Sequence, residues 1–259
     1  MKCLMKYNEK SVRETSVRSV YVKNIVLLCV LCFLFCSCGP NVRYIKRVQS
    51  LEEGVSNPTT IDEIKTAIKK YEDRVEDIIA AEQQTGIWWK ILATRYMDNH
   101  MYGEALNAFQ KATVYYPANQ NLYYYIGVCA GYLAKSELTV DANGENSRRA
   151  EYLKLSEAGY LRAIELEPRY ARALYGIGVL YTFDLNKPEK AVPYLEKLLT
   201  IETRHTEGMF VLARAYYMNY EFQLAVDMYD RIIQTTTSEK SKADAEANKK
   251  VVLDAMYSK

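Results

Sequence analysis

Apolar residues recur at three- and four-residue spacing along most of residues 60–257, the period of helices that bury one face. Thr60, Asp62 and Glu63 open the first such segment, since a hydroxyl cap followed by acidic residues marks a helix start. Ile64, Ile68, Tyr71, Val75, Ile78 and Ile79 form its stripe, which runs to about Gln84. Two shorter helices are predicted at about 87–100 and 102–115. Small Ala93 and Ala105 let their backbones approach, Trp89 and Phe109 fill the space around them, and Pro117 stops the second. One such hairpin cannot bury its own apolar face, so the pattern should recur.

It does recur. Counted from Gly86, the unit is 34 residues long, and its eighth position is small in four successive copies. Those residues are Ala93, Gly127, Gly178 and Ala213, spaced by 34, 51 and 35. In the first copy Trp89, Leu92, Ala93, Tyr96, Ala105, Phe109, Ala112 and Pro117 occupy positions 4, 7, 8, 11, 20, 24, 27 and 32. This arrangement resembles the tetratricopeptide repeat (TPR) family. The resemblance implies an all-α solenoid, a right-handed superhelix of helix hairpins. It covers about residues 86–237, as repeats 86–119, 120–170, 171–205 and 206–237. The segment 60–84 should pack on the first hairpin as an amino-terminal cover, and a Lys/Glu/Ala-rich helix at 238–257 should cap the other end through Ala247, Val251, Val252, Ala255 and Met256. Ten helices are expected in all.

The middle copies depart from the plain period. In the second, Tyr123, Ile126 and Gly127 hold positions 4, 7 and 8, but Tyr160, Ala163 and Pro168 come 17 residues late. The extra residues should lie between its helices, near Ala134 to Arg149, lengthening the turn. Asp141, Asn143 and Glu145 there are spaced like calcium ligands, yet glycine is missing from the sixth place and Tyr152 fills the twelfth, so no calcium loop is assigned. In the third copy Ala191, Leu195 and Leu198 fall one residue late.

The amino terminus carries a different signal. Lys2, Lys6, Lys10, Arg13, Arg18 and Lys23 precede the apolar run Ile25 to Phe35, too short to span a bilayer and of the length of an export-signal core. Leu34-Phe35-Cys36-Ser37-Cys38-Gly39 follows and resembles the lipobox of bacterial lipoproteins, in the relaxed form of spirochaetes. That resemblance implies a signal peptide at 1–37, lipid such as palmitate on Cys38, and a mature domain at 60–259. Residues 38–59, with Pro40, Gly54 and Pro58, read as a polar tether. Processing would leave Cys129 as the one unmodified cysteine, so no internal disulfide is expected. It would also leave 28 Lys/Arg against 30 Asp/Glu, a net charge of −2, which removes any argument for nucleic acid.

No catalytic or metal-ligating constellation emerges. His100 and His205 fall in separate turns, read as solvated, with no nucleophile or Cys/His neighbour at ligand spacing. No cofactor is expected. What remains is a binding surface: 23 tyrosines are many for this length, and Tyr offers contact area at low rotamer cost. The TPR resemblance implies that the first helix of each repeat lines a concave groove. The implied partner-binding residues are Lys90 and Thr94, then Asn121, Tyr124 and Tyr132, then Arg172, Tyr175 and Phe183, then Phe210, Arg214 and Tyr217. A carboxylate clamp is not expected, because Thr94 stands where that subtype has Asn. The expected function is a lipid-anchored protein-interaction scaffold in a bacterial cell envelope, facing the periplasm from either membrane or exposed outside. The alternative is a TPR accessory subunit of a periplasmic solute-uptake system, which a closed apolar channel would favour.

Overall fold

A computed structural model describes residues 58–137 and 146–258. The expected signal peptide, the expected lipidation site Cys38, the expected tether through residue 57 and the segment 138–145 lie outside them. The described residues form nine α-helices and one π-helical turn, with no strand. The helices are α1 (Ile61–Asp98), α2 (Tyr102–Tyr115), α3 (Gln120–Ser136), α4 (Ser147–Leu166), α5 (Ala171–Val179), α6 (Pro188–Ile201), α7 (Thr206–Met218), α8 (Phe222–Thr235) and α9 (Glu239–Tyr257). The π-turn, Leu180–Asp184, continues α5.

The chain divides into two units, residues 1–74 and 75–259, with the boundary inside α1. Of the first unit the described part is the start of that helix. Thr60 and Glu63 close a reciprocal cap: Oγ1 of Thr60 accepts from the Glu63 amide at 3.3 Å, and Glu63 Oε2 accepts from the amides of Thr59 and Thr60 at 2.9 and 3.1 Å.

One expectation fails here. The predicted cover helix at 60–84 and the predicted helix at 87–100 are a single 38-residue helix. Thr85 does not cap a new helix, since its hydroxyl donates back to the Ala81 carbonyl at 2.8 Å. Gly86 is helical and buried, and a Cβ there would meet Tyr115 Cβ at 2.6 Å. It serves close packing against the end of α2, and breaks nothing. The stripe expected to cover the first hairpin is exposed: Ile64, Ile68, Tyr71, Val75, Ile78 and Ile79 keep 40 to 53% of their surface.

In the second unit consecutive helices pack pairwise in chain order from α2 to α9. The core follows the repeat positions. Ala93, Gly127, Gly178 and Ala213 are buried at position 8; Ala105, Ala191 and Ala225 lie opposite, and Ser156 takes that place in the second repeat. Phe109, Tyr160, Leu195 and Tyr229 fill the space beside them. A Cβ at Gly178 would meet Leu195 Cγ at 2.6 Å, and one at Gly159 would meet the Gly127 amide nitrogen at 2.7 Å. Such contacts leave no room for a side chain.

The two irregularities have separate structural outcomes. The extra residues of the second repeat partly lengthen its helices, to 17 residues in α3 and 20 in α4, so they are not confined to the turn. Asn146 pins the two ends: its Nδ2 donates to the Glu137 carbonyl at 2.9 Å and its Oδ1 accepts from the Arg149 amide at 2.8 Å. The one-residue delay of the third repeat is taken up by the π-turn, where the Leu185 amide donates to the Leu180 carbonyl five residues back at 2.9 Å. A π-bulge is the way a helix absorbs one inserted residue. The last helix is capped by Ser238, packs through Ala245 and Val252, and is tied to α8 by Lys249 and Asp230 at 2.6 Å. Ala247 and Val251, expected in that contact, are exposed.

Candidate functional site

α3, α4, α5 and the π-turn enclose a cleft of about 260 Å³. Its wall on α3 is Tyr124, Val128, Gly131, Tyr132 and Lys135; α4 gives Ser156 and Tyr160; and α5 with the turn gives Arg172, Tyr175, Gly176, Val179, Leu180 and Asp184. Gly131 adds no side chain to the lining, Gly176 packs so close to Tyr160 that a Cβ would meet its ring at 2.7 Å, and the π-turn brings Asp184 to the α3 side. Lys135 Nζ and Asp184 Oδ2 stand 4.0 Å apart at that rim.

The aromatic wall is half core and half surface. Tyr124 meets the rings of Tyr125, Tyr160 and Tyr170 at centroid distances of 5.1, 6.0 and 5.6 Å. Tyr132 stacks on Tyr102 of α2 at 4.3 Å and yet keeps 50% of its surface. Tyr175 lies against His205 at 5.0 Å. Burial raises the phenol pKa of Tyr124, against the pull of the Arg172 charge, and burial raises Tyr160 and Tyr175 as well. These hydroxyls therefore stay protonated donors at neutral pH. With the guanidinium of exposed Arg172 and the ammonium of Lys135, the cleft offers donors and cations against one carboxylate, Asp184.

Of the eleven groove residues predicted from sequence, the cleft gathers Tyr124, Tyr132, Arg172 and Tyr175. The others lie elsewhere. Lys90 is exposed on α1, and Thr94 spends its hydroxyl on the Lys90 carbonyl at 3.0 Å. Asn121 accepts from the Tyr170 hydroxyl at 2.7 Å, bracing α3 against the turn before α5. Phe183 is 55% exposed on the π-turn. In the fourth repeat the Arg214 guanidinium sits over Tyr217 at 5.2 Å, Tyr217 meets Phe222 at 5.8 Å, and Phe210 meets Tyr229 at 6.1 Å.

Sequence reasoning missed Lys135, Ser156 and Asp184. Ser156 is fully buried and donates to the Gly127 carbonyl at 2.8 Å, holding α4 on α3 beneath the cleft. Its signal was present: subtracting the 17 extra residues puts it at position 20, where the other repeats have Ala. The histidines also divide. His100 is exposed, with a φ of 59°, in a turn. His205 is half-buried and is the N-cap of α7, its Nδ1 accepting from the Gly208 amide at 2.9 Å, so the solvated reading fails for it. Among the described residues no three Asp, Glu, His or Cys side chains gather as a metal site. Cys129 is buried in the core and burial pushes its thiol to about 12.

A stack of antiparallel helix pairs with small residues at positions 8 and 20 and large ones at 24 is a TPR solenoid, and the fold is of that class. No protein-family model matches the chain. A TPR repeat-containing protein of the spirochaete Borreliella burgdorferi is 26% identical over 223 residues, covering 84% of this chain and 94% of that protein. The TPR protein TTC0263 of Thermus thermophilus is similar in structure, with a TM-score of 0.50 and 18% identity over 74% of this chain and 92% of that one. YrrB, a TPR protein with an unusual peptide-binding site, gives a TM-score of 0.51 and 19% identity over 72% of this chain and 85% of its own.

Proposed function

We propose that this chain is a lipid-anchored scaffold of a bacterial cell envelope, tethered through Cys38, which holds a protein or peptide partner in the cleft between α3, α4 and α5. The observation that carries the reading is the placement of Tyr132 and Arg172. Both stand exposed at the rim of a cleft whose floor is already packed, so neither is needed to complete the core. Aromatic and Arg side chains around a pocket are the usual anchors of protein recognition. A volume of about 260 Å³ admits one or two partner side chains and falls short of the roughly 300–1,000 Å³ of small-molecule sites. Its lining is charged at the rim, unlike the apolar channel that a solute-uptake accessory would need. The peptide-binding site named for YrrB lends the reading support from a protein of the same fold.

The test is selection of peptides from a displayed library on the full chain, followed by affinity measurement on variants. Arg172→Ala and Tyr132→Ala should each weaken a selected peptide by about tenfold or more. Thermal stability should be unchanged for Arg172→Ala and lowered by about 1 kcal/mol for Tyr132→Ala, which loses the stack on Tyr102. Glu189→Ala at an exposed position of α6 should leave binding intact. Peptides that bind both cleft variants as they bind wild type would move the site off the cleft. Arg214→Ala adds a second reading, namely whether the bound segment extends along the groove to the fourth repeat.

A further inference from the structure

The exposed stripe of α1 has a register. Ile61, Ile64, Ile68, Tyr71, Val75 and Ile78 follow one another at alternating spacings of three and four, the a and d positions of a heptad with a at 61, 68 and 75. The same frame carried onward reaches Glu82 and Thr85, then Trp89 and Tyr96 at a. Trp89 and Tyr96 pack against the cluster built on Phe109 of α2. One face of one helix is thus covered by another helix over its last turns, and stays uncovered over three heptads before them. Exposures there are 72% at Ile61, 52% at Ile68, 52% at Val75 and 53% at Ile78. A heptad seam specifies its occupant as another α-helix.

We propose that residues 61–78 form an antiparallel coiled coil with the same segment of a second copy of this chain. Self-complementarity selects the occupant. With two copies antiparallel about a two-fold axis between Lys69 and Lys70, every a residue faces a d residue: Ile61 faces Ile78, Ile64 faces Val75, and Ile68 faces Tyr71. All six a and d residues are used, and Ile79, the other exposed apolar residue of the stripe, lies at a flanking e position. Charge selects the orientation. The flanking e positions hold Lys65 and Glu72, which face each other twice in the antiparallel pair. In a parallel pair in register, g meets e as Thr60 with Lys65, Ala67 with Glu72 and Arg74 with Ile79, so no opposite charges meet. Arg74, the remaining charge on the flanks, has its guanidinium over the Tyr71 ring at 5.6 Å and would lie beside Ala67 of the second copy. The pairing is independent of the cleft reading, and either can fail alone.

The experiment measures the mass of the full chain in mild detergent by light scattering across concentration. Wild type should reach two copies below roughly 100 μM. Ile68→Glu and Val75→Glu should each abolish the pair with unchanged helix content, since both side chains are already exposed. Lys65→Glu and Glu72→Lys should each weaken it about tenfold, because two attractions become two repulsions. The double variant Lys65→Glu with Glu72→Lys should return to within about threefold of wild type. A single-copy wild type overturns the proposal, as does a pair indifferent to Ile68→Glu. Silence of both single charge variants would overturn it in favour of a parallel pair or another face. If Ile68→Glu left the mass unchanged but opened residues 38–57 to protease, the occupant would be the chain's own tether.

Discussion

The meeting of α3 and α4 makes a prediction in which one chemical change has opposite signs at two sites. Gly159 of α4 rests on the α3 backbone: a Cβ there would lie 2.7 Å from the Gly127 nitrogen, 2.9 Å from the Tyr123 carbonyl oxygen and 3.0 Å from Gly127 Cα. All three are main-chain atoms inside a helix, and none can rotate aside. Gly159→Ala must therefore push the helices apart and loosen the Ser156 hydrogen bond to the Gly127 carbonyl between them. Overpacking of this kind costs about 1–3 kcal/mol, while alanine in a helix returns about 1 kcal/mol, leaving a net loss of up to about 2 kcal/mol. Gly131, also in α3, is the internal control. Its Cβ would meet only Ser156 Oγ at 3.5 Å, an ordinary contact, so Gly131→Ala should keep the helix gain of about 1 kcal/mol. For a domain of this size that is about 2–4 °C upward for Gly131→Ala and up to about 8 °C downward for Gly159→Ala. Thermal and urea unfolding followed by circular dichroism measure both. Equal shifts of the same sign would show that the two helices are not in backbone contact.

Three further outcomes are expected. Burial, and then the acceptor carboxylates Glu157 and Glu196, raise the phenol pKa of Tyr181 and Tyr216. Below pH about 10 folded and unfolded chains both hold these protons; above it the unfolded chain releases them first and stability falls as pH rises, a fall that Tyr181→Phe with Tyr216→Phe should make shallower in unfolding titrations. Cys129, buried and held protonated to about pH 12, should resist alkylation at pH 8 in the native chain and react once denaturant opens it, as read by mass spectrometry of the modified peptide. A metabolic fatty-acid probe should label the wild-type chain and not Cys38→Ser; label persisting in that variant would move the lipid to another cysteine.

The repeats were legible in sequence because they depend on size at fixed places. Ala93, Ala105 and Phe109 state a close helix pair before any coordinates exist, and their counterparts through Ala213, Ala225 and Tyr229 repeat it. The boundary at Gly86 was misread because the repeat frame begins there, although the chemistry of a helix end is missing. Pro117 and the Asn119 cap precede α3, Pro168 precedes α5, and His205 caps α7, whereas between Gln84 and Ile87 stand only Gly86 and Thr85, whose hydroxyl is spent on the Ala81 carbonyl. A lone glycine costs a helix only about 1 kcal/mol, too little to stop one of 38 residues. The cleft was half legible for a related reason. Position within a repeat found Tyr124, Tyr132, Arg172 and Tyr175, since the first two precede the extra residues of the second repeat and the last two, counted from Ala171, precede the π-turn. Lys135 and Asp184 belong to the irregularities themselves, the lengthened end of α3 and the π-turn after α5. The two places where this chain departs from a regular 34-residue period face each other across the cleft. A regular repeat would have put neither Lys135 nor Asp184 at that rim, so the departures make this groove chemically its own.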